Sequence, residues 1–182
     1  MTIYQGGLTK VLEVPTDYKR RHGCLAFHPD DPNVFFHFGG FNYYSAIMKS
    51  AFAYHIKEEQ FADKRDLPGG MCYHSCIGYM TTAGKPAIMI VGGTNGGHKD
   101  DVLEYDITSN TYKNLPNFPH PTNKVMLVEL GGFMYAFGGR DGDNKWTDTV
   151  KKITLAFDKD WEVLDSKLKY ADEIRALMPY SF

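Results

Sequence analysis

The sequence predicts an all-β fold, and three observations carry that expectation. Its 12 Tyr and 12 Phe against only 2 Trp, together with 18 Gly, favour pleated strands and tight turns over helices. A short apolar run closed by two glycines occurs three times along the chain. Between these recurrences lie further short β-rich runs, separated by turn-forming residues.

The chain has 182 residues, 43% of them hydrophobic, enough for a sizeable core. Its 20 basic and 22 acidic residues are spread evenly and leave a formal charge of −2, so the chain carries no electrostatic footprint for nucleic acid or an anionic membrane. No run reaches the roughly 18 apolar residues of a spanning helix, and neither nucleic acid nor membrane is expected as a partner. The cysteines Cys24, Cys72 and Cys76 are odd in number and lack a second pair at zinc-site spacing. The N-terminal stretch MTIYQGGLTKVLEVP has no apolar signal core. The expectation is a reduced, soluble, cytoplasmic protein.

The three glycine-closed runs are VFFHFGG at 34–40, AIMIVGG at 87–93 and FMYAFGG at 133–139. They place Gly39 and Gly40, Gly92 and Gly93, and Gly138 and Gly139 about 46 to 53 residues apart. A polar loop follows each pair, then a second run: AFAYHI from Ala51, DVLEYDI from Asp101 and TVKKITL from Thr149. Third runs begin at Gln60, Thr111 and Asp160, the first two ending in Leu67-Pro68 and Leu115-Pro116. Fourth runs, such as MCYHSCIGYM from Met71 and KVMLVELGG from Lys124, lead to the next glycine pair. Four strands at this period make a propeller blade.

Two glycines, a tyrosine about a dozen residues on and a large aromatic seven further resemble the Kelch motif. The second copy has Gly92, Gly93, Tyr105 and Tyr112, the last where that family usually carries Trp; the first has Gly39, Gly40, Tyr54 and Phe61. The third has Gly138, Gly139 and Trp161, with Leu155 or Phe157 near the tyrosine position. The resemblance covers about residues 20–165 and implies a partial Kelch-type β-propeller of about three four-stranded blades, near 20–68, 69–117 and 118–165. Paired glycines admit positive φ and close approach of neighbouring backbones, and the aromatics supply bulk between twisted sheets.

Residues 1–19 form an N-terminal strand and linker, since LTKVLEVP at 8–15 looks like the outer strand of a blade, with Val14-Pro15 matching Leu67-Pro68. Over 166–182 a C-terminal helix is expected, because Leu164, Leu168, Ala171, Ile174 and Leu177 recur every three to four residues. Propellers close with about 4 to 8 blades, and an open stack exposes strand edges and apolar faces. A protein partner is therefore expected to complete the ring, either a second copy or other subunits of an assembly, unless the sequence is a fragment of a longer gene product.

The pairs His22-x-Cys24 and His74-x-Cys76 read as equivalent positions on two first strands, a weak candidate for soft metal ligation. The third blade has His120 but Thr122 in place of a cysteine. The loops after the glycine pairs lie at one end of the propeller, where connections commonly carry recognition. Arg140, Asp141, Asp143, Lys145 and Trp146 form the best contact cluster there, with Asn42, Tyr43, Tyr44, Asn95, His98 and Lys99 in the equivalent loops. Neither glycine-rich loop ends like a phosphate loop or a helical calcium loop. No cofactor is expected, and no nucleophile and base are brought together by the spacing. Ser75 beside His74 is no nucleophile elbow, because adjacent strand residues point to opposite faces.

The resemblance therefore implies a non-catalytic protein-interaction or scaffold module. The alternative is a small-molecule binder or enzyme of the central channel, like the family's sugar epimerases or copper oxidases, in which His22, His74 and Cys76 meet.

Overall fold

The computed structural model describes residues 2–5, 8–11 and 14–169, with side chains from residue 14 onward. Strands β1 (Thr2–Gln5) and β2 (Leu8–Val11) pair with each other as an antiparallel hairpin. A single turn of 3₁₀ helix at Thr16–Tyr18 then leads into three four-stranded antiparallel sheets. The first holds β3 (Cys24–His28), β4 (Asp31–Phe38), β5 (Ala51–His55) and β6 (Gln60–Lys64). The second holds β7 (Ser75–Met80), β8 (Pro86–Val91), β9 (Val102–Asp106) and β10 (Thr111–Asn114). A short pair, β11 (Thr122–Asn123) with β14 (Arg140–Asp141), flanks the third sheet. That sheet holds β12 (Met126–Leu130), β13 (Phe133–Phe137), β15 (Thr149–Thr154) and β16 (Glu162–Lys167). Within each sheet the strands lie in chain order. The described residues thus build three blades, and β3, β7 and β12 stand side by side as the inner strands.

Strand alternation divides each blade into two faces. Ala26, Phe36, Phe38 and Ala53 of the first blade pack on Ile88, Ile90, Leu103 and Tyr105 of the second. From the opposite face of the second blade, Tyr79, Met89 and Val102 pack on Met134, Ala136, Ile153 and Trp161 of the third. Tyr54 and Tyr105 are fully buried. The outer-strand aromatics also reach back to the preceding linker: the Tyr112 hydroxyl donates to the Arg65 carbonyl at 2.8 Å, and Trp161 Nε1 to that of Pro116 at 3.3 Å.

The glycine pairs stitch blades together. The N–H of Gly39, Gly92 and Gly138 donates within its own blade, to the carbonyls of Ser50, Asp101 and Thr149. The N–H of Gly40 and Gly93 instead reaches the linker into the next blade, at Met71 and Thr122, at 2.7 and 2.8 Å. Gly93 has φ +98°, and a Cβ there would lie 2.8 Å from His74 Cβ and 2.9 Å from the Cys72 carbonyl oxygen.

Two expectations are corrected. In the third blade the tyrosine position belongs to Ile153, not to Leu155 or Phe157. Tyr54 pairs with Phe35, Tyr105 with Ile88 and Ile153 with Met134, each at the same step of its ladder. A helix beginning at 166 is excluded, because β16 runs to Lys167 and carries Leu164. Ala171, Ile174 and Leu177 lie outside the described residues.

Candidate functional site

The linkers entering the three inner strands share a conformation that side chains rarely adopt. His22, Tyr73 and Lys124 are equally spaced along the chain and have φ of 57°, 55° and 55°. The left-handed region costs a non-glycine residue about 1 kcal/mol or more. Backbone bonds link the three: the Tyr73 N–H donates to the His22 carbonyl at 2.7 Å, and the Lys124 N–H to the Tyr73 carbonyl at 2.9 Å. These residues, one per blade, run along one end of the stack.

Their side chains and four further residues, Arg21 of the first linker and Phe41, Arg140 and Trp146 of the loops, form a continuous rim of rings and cations. The Arg21 guanidinium lies 5.6 Å from the centre of the Phe41 ring. The His22 ring is 4.6 Å from that of Tyr73 and 6.1 Å from that of Phe41. Lys124 Nζ sits 5.3 Å from the Tyr73 ring and 5.4 Å from that of Trp146, whose ring also receives Arg140 at 5.4 Å. Such contacts hold charges over ring faces at a worth of about 0.5–1 kcal/mol each at exposed sites. Arg21 and His22 are exposed, and Phe41, Tyr73, Lys124, Arg140 and Trp146 are half-buried.

Of the loop residues singled out from sequence, Arg140 and Trp146 lie in this rim. Asp141 shapes their loop, its carboxylate accepting the N–H of Asp143 and of Lys145, while Asp143 and Lys145 form an exposed pair at 3.9 Å. In the first blade Asn42 closes its loop by accepting the Ala46 N–H, and Tyr43 and Tyr44 stand 81% and 84% exposed at its tip. In the second, Asn95 turns back on the Gly97 carbonyl, His98 bonds to Asn123 at 3.0 Å and Lys99 pairs with Asp101 at 3.3 Å. The sequence reading missed Arg21, Phe41, Tyr73 and Lys124. The signal was present as the equal spacing of positions 22, 73 and 124.

The metal candidates do not form one set. His22 corresponds to Tyr73 rather than to His74, so the two His-x-Cys pairs are one residue out of register. Cys24 pairs with Phe38 at the ladder step where Ser75 pairs with Val91, which leaves Cys76 one step further along its strand. A one-residue offset turns a side chain to the opposite face. Cys24 and Cys76 therefore face each other across the first two blades, where they are joined in a disulfide with Cα atoms 5.7 Å apart. This corrects the expectation of three reduced thiols; Cys72 alone is free, and it is buried. His74 lies in the interblade gap, 5% exposed, where burial holds its pKa down at about 4. His37 is likewise pushed down to about 4, by burial and then by Arg20.

No protein-family model matches the chain. Over 86 residues it is 33% identical to Kelch-like protein 40a of Danio rerio, a stretch covering 43% of this chain and 14% of that protein. Over 164 residues it is 26% identical to Kelch-like protein 40 of Xenopus laevis, covering 86% and 26%. The solved structure of YjhT superposes with a TM-score of 0.67 at 17% identity, over 85% of this chain. The chain has the fold of a partial, Kelch-like propeller. This Kelch-type arc matches 54% of the length of YjhT and at most 26% of the length of the two Kelch-like relatives.

Proposed function

We propose that this Kelch-type arc is a non-catalytic interaction module that binds another protein through the rim formed by Arg21, His22, Phe41, Tyr73, Lys124, Arg140 and Trp146. The observation that carries the reading is the set of three non-glycine residues held at positive φ in equivalent positions. Glycine would fit that backbone at lower cost, and strain kept at a surface points to use of the side chains it displays. Trp, Tyr and Arg are also the residues most enriched at binding hot spots. Tyr43 and Tyr44 extend the contact surface at the first loop tip.

The experiment is cross-linking with mass spectrometry from cell extract, using the intact chain and a Tyr73→Gly/Trp146→Ala variant of matched melting temperature. Proteins linked to the rim of the first and lost from the second support the reading. An identical set from both chains sinks it.

The module is also one part of a larger assembly. Three blades make an arc, and its end faces carry apolar residues: Leu25 and Phe27 on the first blade are each 42% exposed, and Leu130 on the third is 66% exposed. On β13, Phe133, Tyr135 and Phe137 stand in a row with ring centres 6.2 and 6.3 Å apart. Further blades of a longer chain, a second copy or other subunits would cover these faces. Sedimentation as a stable monomer, unaltered by deletion of residues 1–14, would remove this second part and leave the rim reading intact.

A further inference from the structure

We propose that the Cys24–Cys76 disulfide is a redox-controlled tie between the first two blades, and that its reduction loosens the rim at His22 and Tyr73.

The position of the bond carries the argument. Within each blade the strands are held by their own hydrogen-bond ladders, so a bond from β3 to β7 acts only between blades. It leaves β3 at its first residue, two positions after His22, and enters β7 three positions after Tyr73. The interblade bond from the Tyr73 N–H to the His22 carbonyl thus lies immediately beside a covalent tie. The second interblade boundary has no counterpart. There Ser75 occupies the step of Cys24 and Leu127 that of Cys76.

Access is one-sided. Cys76 is half-buried on its inner strand, whereas Cys24 is buried. Cys72 takes no part: it is fully buried, burial raises its thiol pKa, and its Sγ donates to the Thr94 carbonyl at 3.4 Å. A small or protein dithiol attacks Cys76 Sγ as its thiolate and expels Cys24 as a thiolate. The reductant's second thiol then displaces Cys76 from the mixed disulfide. Two electrons and two protons pass to the protein, which gains two thiols, and the dithiol leaves as its own disulfide. With the tie open, the boundary beside β3 and β7 is held by apolar packing and by backbone hydrogen bonds, the Tyr73-to-His22 bond among them.

The test is amide hydrogen exchange on the full chain, oxidised or reduced with dithiothreitol, with thiol counts taken after unfolding. The oxidised chain should yield one alkylatable thiol and the reduced chain three. On reduction the Tyr73 amide should exchange about tenfold faster, while the Gly93 amide at the next boundary is unchanged. A Cys24→Ser/Cys76→Ser chain should match the reduced form; if it does not fold, the reduced natural chain decides alone. Three alkylatable thiols after treatment with oxidised glutathione would overturn the proposal, as would an unaltered Tyr73 exchange rate on reduction.

Discussion

The Tyr73 N–H donates to the His22 carbonyl at 2.7 Å, so the residue that opens the second blade hangs from the one that opens the first. Both stand at positive φ, with rings 4.6 Å apart. Tyr73→Gly keeps the donor and relieves the backbone while removing the ring. Stability in urea should change by less than about 1 kcal/mol, because the relieved strain offsets the lost contacts with His22 and Lys124. A loss above about 2 kcal/mol would show the ring to be structural and count against its retention for binding.

Gly93 and Gly96 both have positive φ but differ in surroundings. A Cβ on Gly93 meets His74 and the Cys72 backbone, whereas one on Gly96 meets nothing within 4 Å. Gly96→Ala should cost about 1 kcal/mol, the backbone cost alone, and Gly93→Ala several times more, because the linker that enters its own blade must also move. Paired denaturation curves check this. Equal costs would mean that the linker at Cys72 and His74 yields more easily than this packing implies.

Acid should weaken the interblade packing at His74. Its folded pKa of about 4 lies below the ordinary histidine value near 6.5, so the unfolded chain binds more protons between the two. Stability is therefore full above pH 6.5 and is lost as pH falls toward 4, by roughly 3 kcal/mol for this one group. His37, held down first by burial and then by the nearby Arg20 charge, adds to the same trend. Urea midpoints at pH 7.5 and 5.0 should differ less for His74→Gln than for the natural chain; equal slopes would place the acid sensitivity elsewhere.

Between the second and third blades a buried carboxylate has two partners. Glu104, 5% exposed, accepts the Tyr79 hydroxyl and pairs with Lys113 Nζ at 2.8 Å. Tyr79→Phe should cost about 1–3 kcal/mol, because the carboxylate stays buried with one partner fewer. Adding Glu104→Leu should recover part of that loss. If the two changes add without coupling, the pair contributes nothing beyond its separate contacts.

The blades were legible because their markers are local and periodic. Gly39 and Gly92 must approach the next linker closely, where a Cβ would meet the carbonyl oxygens of Met71 and Thr122, and only glycine permits it, so that need is visible in the sequence. The third tyrosine position was not legible, because Ile153 fills it with a smaller apolar side chain that carries no motif. The disulfide was hidden by a plausible error of register. His-x-Cys occurs twice, and matching the two copies sets both cysteines on the same face. The backbone instead aligns His22 with Tyr73 and turns the two sulfurs toward each other. The rim escaped notice because its parts come from linkers and loops that only the stacking of blades brings together.

The Cys24–Cys76 bond spans 52 residues of chain and encloses the exposed Tyr43 and Tyr44 loop. A protease that cuts at this tip therefore leaves one covalent molecule with a new pair of ends. On a non-reducing gel the nicked protein keeps its mass, and it falls into two fragments only when a thiol reagent is added.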